Sequence, residues 1–226
     1  ETDIKPDEVM YNSLMDGCAQ QCLVEEGMQL LEEMQAAGVR PSNFTLSVLV
    51  KLFSRSRKLD RAFSVVRELS SKYRIRLNVH VHTNLIQACL SARQTNKALN
   101  CLDQMLQDGV QPNERTYAIL FRALAANGQY DAVAGVLRAA LGLDGMLPSL
   151  ARHGSTALCK LENHVVNQAL MSLAEGCQSS LALDVLAQIK EKRPHVRVDA
   201  ATQGKILAAN ASGGSKMPPI TAGGAG

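Results

Sequence analysis

The chain has 226 residues, with 24 Lys or Arg against 21 Asp or Glu, so its formal net charge is only +3. Hydrophobic residues make up 46% of the sequence, which excludes wholesale disorder, and no run of about 18 apolar residues predicts a membrane-spanning helix. Aromatic residues, at 4%, are too few for a typical β-sandwich or β-barrel, whereas the many Ala, Leu, Gln and Glu residues favour helices. The composition therefore predicts a soluble, helical protein and leaves its partners open.

The first two thirds of the chain repeat with a period of about 35 residues. Pro6, Pro41 and Pro112 follow similar short segments and are separated by one and by two of these periods. Residues 1–7 contain no targeting signal, and we interpret them as the end of a preceding repeat. Repetition on this scale is typical of stacked structural units. Four segments align in one register: 8–42, 43–78, 79–113 and 114–149.

Each segment is predicted to form two antiparallel helices. In the second helix, apolar residues recur at the i, i+3, i+4 and i+7 positions, as in Ala98, Cys101, Leu102 and Met105. A single hairpin cannot bury its own apolar face, so we predict an all-α solenoid of stacked helix-turn-helix repeats of about 35 residues. A small residue opens the apolar stripe in three segments and allows a close approach of the paired helices: Gly27, Ala62 and Ala98.

The repeat pattern weakens after residue 149. Residues 150–163 fit no register and predict an irregular connector. Residues 164–211 are interpreted as degenerate repeats or a C-terminal helical cap, because terminal repeats of a solenoid are often atypical. The last segment, 212–226, is rich in Gly, Pro and small residues and predicts a flexible tail.

No residue pattern in the chain predicts catalysis, a cofactor or a metal site. Cys18 and Cys22 are four residues apart, but no further Cys or His lies at the spacing that would complete a zinc site. The six cysteines are therefore expected to be reduced thiols that pack in the core. Nucleophile elbows, phosphate-binding glycine loops and zinc-deaminase patterns do not occur, so the sequence indicates a binding module rather than an enzyme.

The repeats resemble the pentatricopeptide repeat family. The resemblance is carried by VMYNSLMDG at 9–17, by EEMQAAGVRP at 32–41 and by the same frame in the later segments. The tetratricopeptide repeat has a slightly shorter period and a Trp and Gly-Tyr pattern that is absent here. The resemblance implies binding of single-stranded RNA, about one nucleotide per repeat, in support of RNA processing, stability or translation in a mitochondrion or plastid.

The resemblance also implies which side chains contact each base. The fifth residue and the last residue of a repeat would read the base edge, and Ser or Thr paired with Asn would favour adenine. Ala118 offers no hydrogen bond, and His80 and Arg115 replace the small apolar residue usual at the second position. The implied base-reading pairs are Asn12 with Ser42, Ser47 with Asn78, Thr83 with Asn113, and Ala118 with Ser149, and the implied base-packing residues are Val9, Phe44, His80 and Arg115.

Charge is distributed unevenly between the repeats. Segment 8–42 carries a net charge of −5, and segment 43–78 carries +7. We expect the basic segment to contact phosphate groups, although a solvated helix face is an equal alternative. The acidic segment favours a second hypothesis, a scaffold whose concave surface binds protein. The expected phosphate-contacting residues are Arg55, Arg57, Lys58 and Arg61, of which Arg55 stands where family members carry a Lys that faces phosphate.

Overall fold

A computed structural model of the chain describes residues 6–151 and 161–213. Within these ranges all regular secondary structure is α-helical, which confirms the all-α prediction. None of the described helices is both long enough and apolar enough to cross a bilayer. The helices are α1 (Glu8–Gln21), α2 (Val24–Ala36), α3 (Asn43–Arg55), α4 (Leu59–Tyr73), α5 (Val79–Ser91), α6 (Thr95–Gln107), α7 (Glu114–Ala126), α8 (Tyr130–Leu141), α9 (Pro148–Ala151), α10 (Asn163–Glu175), α11 (Ser179–Lys192) and α12 (Ala200–Gly213).

The chain divides into two compact units, residues 1–120 and residues 121–226, with the boundary inside α7. In the first unit, α1 packs against α2, α3 against α4, and α5 against α6, so that the first three of the four segments each contain a helix pair. The first helices of the pairs also pack side by side, α1 on α3 and α3 on α5. This arrangement of stacked helix pairs confirms the predicted α-solenoid.

Short polar side chains begin the first helices of the stacked pairs. Asp7 accepts a hydrogen bond from the Met10 amide at 2.9 Å, and Ser42 accepts one from the Phe44 amide at 3.0 Å. The Asn78 Oδ1 accepts from two amides of α5. Each cap satisfies amide groups that have no partner within the helix, so the polar residue before each apolar run fixes where the helix starts.

A residue in the left-handed conformation ends the second helix of each pair. Gly38 has a φ of 74° after α2, and Gly109 has a φ of 71° after α6. The equivalent residue after α4 is Arg74, with a φ of 53°. In all three turns the amide of the next residue bonds to a carbonyl five residues earlier, as Ile75 does to Ser70 at 2.9 Å. Arginine therefore occupies a backbone position that glycine adopts at lower cost.

The core of the first unit is made of Leu, Met, Ile, Val and Phe side chains from both helices of each pair. Phe53 and Met105 are fully buried within it. Gly27 of α2 leaves no room for a side chain, because an added Cβ would lie 2.6 Å from the Leu52 Cδ2 of α3. Ala62, which stands at the equivalent position of the next pair, is buried as well.

In the second unit, α8 packs against α9, α10 and α11, and α12 packs against both α10 and α11. Gly176, at the end of α10, lies directly beneath the Tyr130 ring. Within the expected connector, α9 ends at Ala151 and α10 begins at Asn163, while residues 152–160 lie outside the described ranges. Helix α12 extends to Gly213 and so includes the first two residues of the expected tail. The rest of that segment lies outside the described residues, as do residues 1–5.

The expectation that the cysteines are buried is wrong for two of them. Cys22 and Cys177 are exposed, and both adopt a φ of 59° in the turn between two paired helices. Cys89 is buried as expected, and Cys18 and Cys101 are half-buried. Turn residues bring their side chains to the surface, which the apolar periodicity of the helices does not describe.

Candidate nucleic-acid interface

A groove with a volume of about 440 Å³ runs along the first helices of the first unit. It contains five of the residues that the family resemblance implied, and they come from three different helices and the turn before α5. Eight of its ten lining residues are polar or charged, which suits a ligand with many hydrogen-bonding groups. The lining residues are Asp16, Asn43, Phe44, Ser47, Val48, Lys51, Asn78, His80, Asn84 and Arg115.

Two aromatic side chains stand exposed in this groove. Phe44 is in the first turn of α3 and 62% of its surface is accessible, while His80 occupies the corresponding exposed position on α5. Val9 is at the same position on α1 and is 69% exposed. An exposed aromatic ring gains no packing energy from the protein core, but it offers a flat face on which a nucleic acid base can stack.

The Asn78 side chain both caps a helix and lines the groove. Its Oδ1 accepts hydrogen bonds from the His80 amide at 3.0 Å and from the Val81 amide at 3.1 Å. Because the carbonyl oxygen is used in the cap, the Nδ2 group with its two donors is the part left for a ligand. The backbone amide of Asn78 donates to the Asn43 Oδ1 at 3.1 Å, which fixes the turn relative to α3.

Charge in the groove is partly neutralised by an ion pair between neighbouring repeats. The Lys51 Nζ lies 2.6 Å from the Asp16 Oδ1, and both side chains remain partly exposed. The hydrogen bond from Lys51 is the main cause that holds the pKa of Asp16 below its ordinary value, with further help from Gln20 and Arg55. Lys51 is therefore held at the groove by α1 rather than free to extend into solvent.

The pair Ser47 and Asn78 is the implied base-reading pair that this groove brings together. Ser47 is half-buried, and its backbone carbonyl accepts a weak hydrogen bond from the Asn84 Nδ2 at 3.4 Å. With Phe44 and His80 beside them, these residues combine hydrogen-bonding groups and aromatic faces in one groove.

The pair Asn12 and Ser42 is joined through a third residue. The Asn12 Nδ2 donates to the Glu8 Oε1 at 3.2 Å, and the Ser42 hydroxyl donates to the same carboxylate oxygen. Asn12 is only 1% exposed, and its Oδ1 is buried without a hydrogen-bond partner among the described residues. The Glu8 carboxylate thus already accepts from the Asn12 Nδ2 group and from the Ser42 hydroxyl.

The pair Thr83 and Asn113 is also joined through a third residue, Thr116. The Thr83 hydroxyl contacts the Val79 carbonyl and the Thr116 hydroxyl, each at 2.7 Å. Thr116 in turn donates to the Asn113 Oδ1 at 2.9 Å. The remaining pair is divided between the two units, with half-buried Ala118 in the first and half-buried Ser149 inside α9 of the second.

The expected phosphate-contacting residues lie at and around the turn between α3 and α4. Arg55, Arg57, Lys58 and Arg61 are all exposed. Lys58 is 3.7 Å from the Glu25 Oε1 of the preceding repeat, so part of this charge is paired. The other three extend into solvent at one end of the helix pair.

The family pattern did not identify Asp16, Asn43, Lys51 and Asn84, which complete the groove. The signal that finds them is the repeat period itself. Lys51 follows Asp16 by 35 positions, and Asn78 follows Asn43 by 35 positions. Because neighbouring first helices pack side by side, residues one period apart face one another.

Comparison with known proteins gives the family. The family model described as the pentacotripeptide-repeat region of PRORP matches residues 2–141. A chloroplastic pentatricopeptide repeat-containing protein of Arabidopsis thaliana is 29% identical over 124 residues, which are 55% of this chain and 16% of that protein. The mitochondrial 15S rRNA processing factor CCM1 of Komagataella phaffii is 24% identical over 185 residues, which are 80% of this chain and 22% of that protein. The chain thus spans less than a quarter of either relative.

Solved structures agree on the fold. The crystal structure of the pentatricopeptide repeat protein PPR10 from maize superposes with a TM-score of 0.66 at 20% identity, over 91% of this chain and 27% of that one. The structure of PPR10 in complex with an 18-nt psaJ RNA element superposes with a TM-score of 0.57 at 21% identity, over 95% of this chain and 35% of that one. Since the family model covers more than half of the sequence, the chain belongs to the pentatricopeptide repeat family.

Proposed function

We propose that the chain binds single-stranded RNA through the groove along its first helices. The observation that carries the proposal is the meeting of Phe44, Ser47, Asn78 and His80 in one groove. One of the similar PPR10 structures is a complex with an RNA element, and the relative from Komagataella phaffii is an rRNA processing factor. Both support RNA as the ligand of this chain.

The groove has the parts that reading an unpaired base requires. A base that enters it stacks against the exposed ring of Phe44 or His80, which any base can do because every base has a flat π-face. Its edge then meets the Ser47 hydroxyl, which donates or accepts, and the Asn78 Nδ2, which only donates. Stacking provides affinity, and the two polar groups provide the preference among bases.

We further propose that this part of the protein is a binding module without catalysis of its own, and that it acts in a mitochondrion or plastid. The named locations of the two relatives, one chloroplastic and one mitochondrial, support the organellar location. The described functional groups bind and position a ligand, and the processing, stability or translation of a bound transcript would follow from that binding.

A binding titration with labelled RNA oligomers tests the proposal. Oligomers of adenine, cytosine and uracil are compared at low and at moderate salt, with double-stranded RNA as the competitor. We expect tighter binding of the adenine oligomer, and we expect Ser47→Ala to reduce that preference more than it reduces affinity for the others. Equal affinity for all oligomers, unchanged in the variant, would contradict base reading. Recovery of a protein partner in the absence of RNA binding would favour the scaffold hypothesis instead.

A further inference from the structure

A second concave surface lies at the opposite end of helix α4 from the expected phosphate-contacting residues. We call it the rim pocket. It has a volume of about 380 Å³ and is formed where α2 and α4 end. Three of its side chains are cations, and all three are exposed. The lining residues are Gln35, Gly38, Val39, Arg40, Lys72, Tyr73 and Arg74.

The cations of the rim pocket are not paired with any carboxylate in the part of the chain that the structure describes. Among the described residues, no carboxylate forms an ion pair with Arg40, Lys72 or Arg74, whereas Lys51 and Lys97 each pair with an Asp of another repeat. Carboxylate partners thus hold other cations of this unit but none of the three at the rim. The pocket therefore presents a positive potential to solvent.

Two of the three cations are nevertheless held in place by neutral partners. The Lys72 Nζ donates to the Gln35 Oε1 at 2.6 Å, and the Tyr73 hydroxyl donates to the same oxygen at 3.1 Å. Arg40 donates to the Tyr73 carbonyl at the end of α4. These hydrogen bonds order the side chains but leave their charge available, so part of the entropy of ordering is lost before an anion arrives.

The third cation, Arg74, occupies a backbone conformation that is unfavourable for any residue except glycine. Arg74 takes the left-handed conformation for which the neighbouring repeats use Gly38 and Gly109. A side chain there costs stability relative to glycine, and Arg74 has no ion-pair partner among the described residues that could offset the cost. Arg74 thus keeps a positive charge at the rim pocket at some cost in stability.

A short segment of chain joins the rim pocket to the groove. The Asn43 Nδ2 donates to the Arg76 carbonyl at 2.9 Å, and Asn43 and Asn78 both line the groove. The segment from Arg74 to Asn78 thus connects the two surfaces over at most about 13 Å of chain. In contrast, the length of α4 places the rim pocket roughly 20 Å from the turn that carries Arg57 and Lys58. The cations of one basic repeat therefore form two separate clusters.

We propose that the rim pocket binds the phosphodiester backbone of the RNA strand where it leaves the groove. This inference rests on the proposed function, because the groove supplies the strand. Arg40, Lys72 and Arg74 neutralise phosphate groups and release their counterions, so the contact adds affinity that depends on salt and not on sequence. The groove selects the bases, and the rim pocket holds the flanking strand.

The variant Arg74→Gly separates this role from a structural one. Glycine relieves the left-handed conformation, so the urea midpoint of unfolding rises, while affinity for a long oligomer of about sixteen nucleotides falls roughly fivefold. The slope of log affinity against log salt falls by about 0.7 for each phosphate that the variant no longer neutralises. Affinity for a short oligomer of about six nucleotides and the preference among bases stay unchanged.

Arg93→Gly is the matched control. Arg93 is exposed, has a φ of 56°, and lies in the turn between α5 and α6 at the other end of the helix pairs. The same charge is removed and the same backbone strain is relieved, so stability rises while affinity for the long oligomer is unchanged. Arg40→Gln and Lys72→Gln are expected to weaken long-oligomer binding as Arg74→Gly does.

Each other outcome overturns a distinct claim. If the two glycine variants weaken binding equally, net charge and not the rim pocket is responsible, and the proposal is wrong. If Arg74→Gly binds the long oligomer as tightly as the unmodified protein, the rim pocket does not contact RNA. If the short oligomer binds but the long oligomer binds no more tightly, the proposal that the rim pocket binds RNA is wrong, while the proposal of base reading is retained. If the unmodified protein binds neither oligomer, the proposed function itself fails.

Discussion

The hydroxyl oxygens of Thr83 and Thr116 lie 2.7 Å apart and share a hydrogen bond between buried side chains of neighbouring first helices. Thr116 also donates to the Asn113 Oδ1, so the implied base-reading pair of the third repeat is connected through a residue of the fourth. The orientation of one polar group in this network sets the hydrogen-bonding capacity of the others. If this pair reads a base as proposed, we expect its recognition to depend on a buried residue that does not line the groove.

Thr116→Val tests this connection. Val81 stands at the same register in the preceding repeat and is fully buried, so a valine side chain is compatible with this packing. We expect the free energy of unfolding to fall by about 1 kcal/mol, measured by urea denaturation, because hydroxyl hydrogen bonds are removed without a change in volume. The preference for adenine at the third repeat should weaken as well. A variant that reads RNA as before would show that the network only stabilises the fold.

Phe44→Ala tests stacking in the groove. Phe44 is 62% exposed, so its removal creates no cavity and the unfolding midpoint should change little. If its ring supports a base, RNA affinity falls by about 1–3 kcal/mol in an anisotropy titration. Leu207→Ala is the control, because Leu207 is 58% exposed on α12. Equal affinities for the two variants would exclude a stacking role for Phe44.

Two substitutions of Asn78 separate its two roles. Asn78→Asp retains an oxygen that caps α5 but replaces the Nδ2 donors with an acceptor, so stability is kept while affinity for the adenine oligomer falls about tenfold. Bases with N–H donors on their edge, guanine above all, should be favoured instead. Asn78→Ala removes the cap and costs about 1 kcal/mol of unfolding free energy. An Asp variant with unaltered base preference would remove Asn78 from the reading pair.

His82 makes the stability of the first unit depend on pH. Its side chain is 2% exposed and burial holds its pKa below the ordinary 6.5, while the Asp108 carboxylate at 3.4 Å opposes the shift. Between the lowered pKa and 6.5 the unfolded chain binds a proton that the folded chain does not, so the free energy of unfolding decreases as pH falls below 6.5. Urea denaturation from pH 7.5 to pH 5 measures the slope, which for one group is at most about 1.4 kcal/mol per pH unit.

His82→Leu is the matching variant, because fully buried Leu46 occupies the same register in the second repeat. We expect the variant to fold and the acid-dependent loss of stability to become shallower. If the slope of the variant equals that of the unmodified chain, another group is responsible for the pH dependence.

Gly176→Ala probes the packing of the second unit. A Cβ at this position would lie 2.2 Å from the Tyr130 Cζ, and the rigid ring cannot yield without a backbone shift. We expect a loss of about 1–3 kcal/mol in the free energy of unfolding. Gly204→Ala, in α12 of the same unit, has no neighbour within 4 Å of the added methyl group and should be neutral or stabilising. Loss of stability in both variants would show that the contact with Tyr130 is not the cause.

The fold was predictable because two kinds of sequence signal mark each helix. The period of the apolar residues indicates a helix, and the residues at its ends indicate where it begins or stops. Ser42 and Asn78 precede apolar runs and cap the helices that follow. Gly38 and Gly109 end second helices in the left-handed conformation. These signals are local in sequence, so a single copy already contains them, and the repetition removes ambiguity.

The site was predictable only in part, because its contacts cross from one repeat to the next. The ion pair of Lys51 with Asp16 depends on the stacking of two first helices, and no single repeat contains both residues. Likewise, the connection of Asn12 to Ser42 through Glu8 follows from side-chain geometry that the reading positions alone do not describe. The clustering of cations in sequence was also misleading, since α4 separates Arg57 from Arg74.

Under the proposed base reading, the caps of the first helices would limit how the protein can change its target. Ser42 and Asn78 each cap a helix, and each occupies the last position of a pair that we propose to read a base, so a substitution there would affect folding as well as recognition. Only Ser, Thr, Asn and Asp satisfy both demands well, and these four side chains differ in their donors and acceptors. The requirement for a helix cap thereby restricts which residue types can occupy the last position of each proposed pair. New base preferences can arise through single substitutions within this set while the solenoid remains folded.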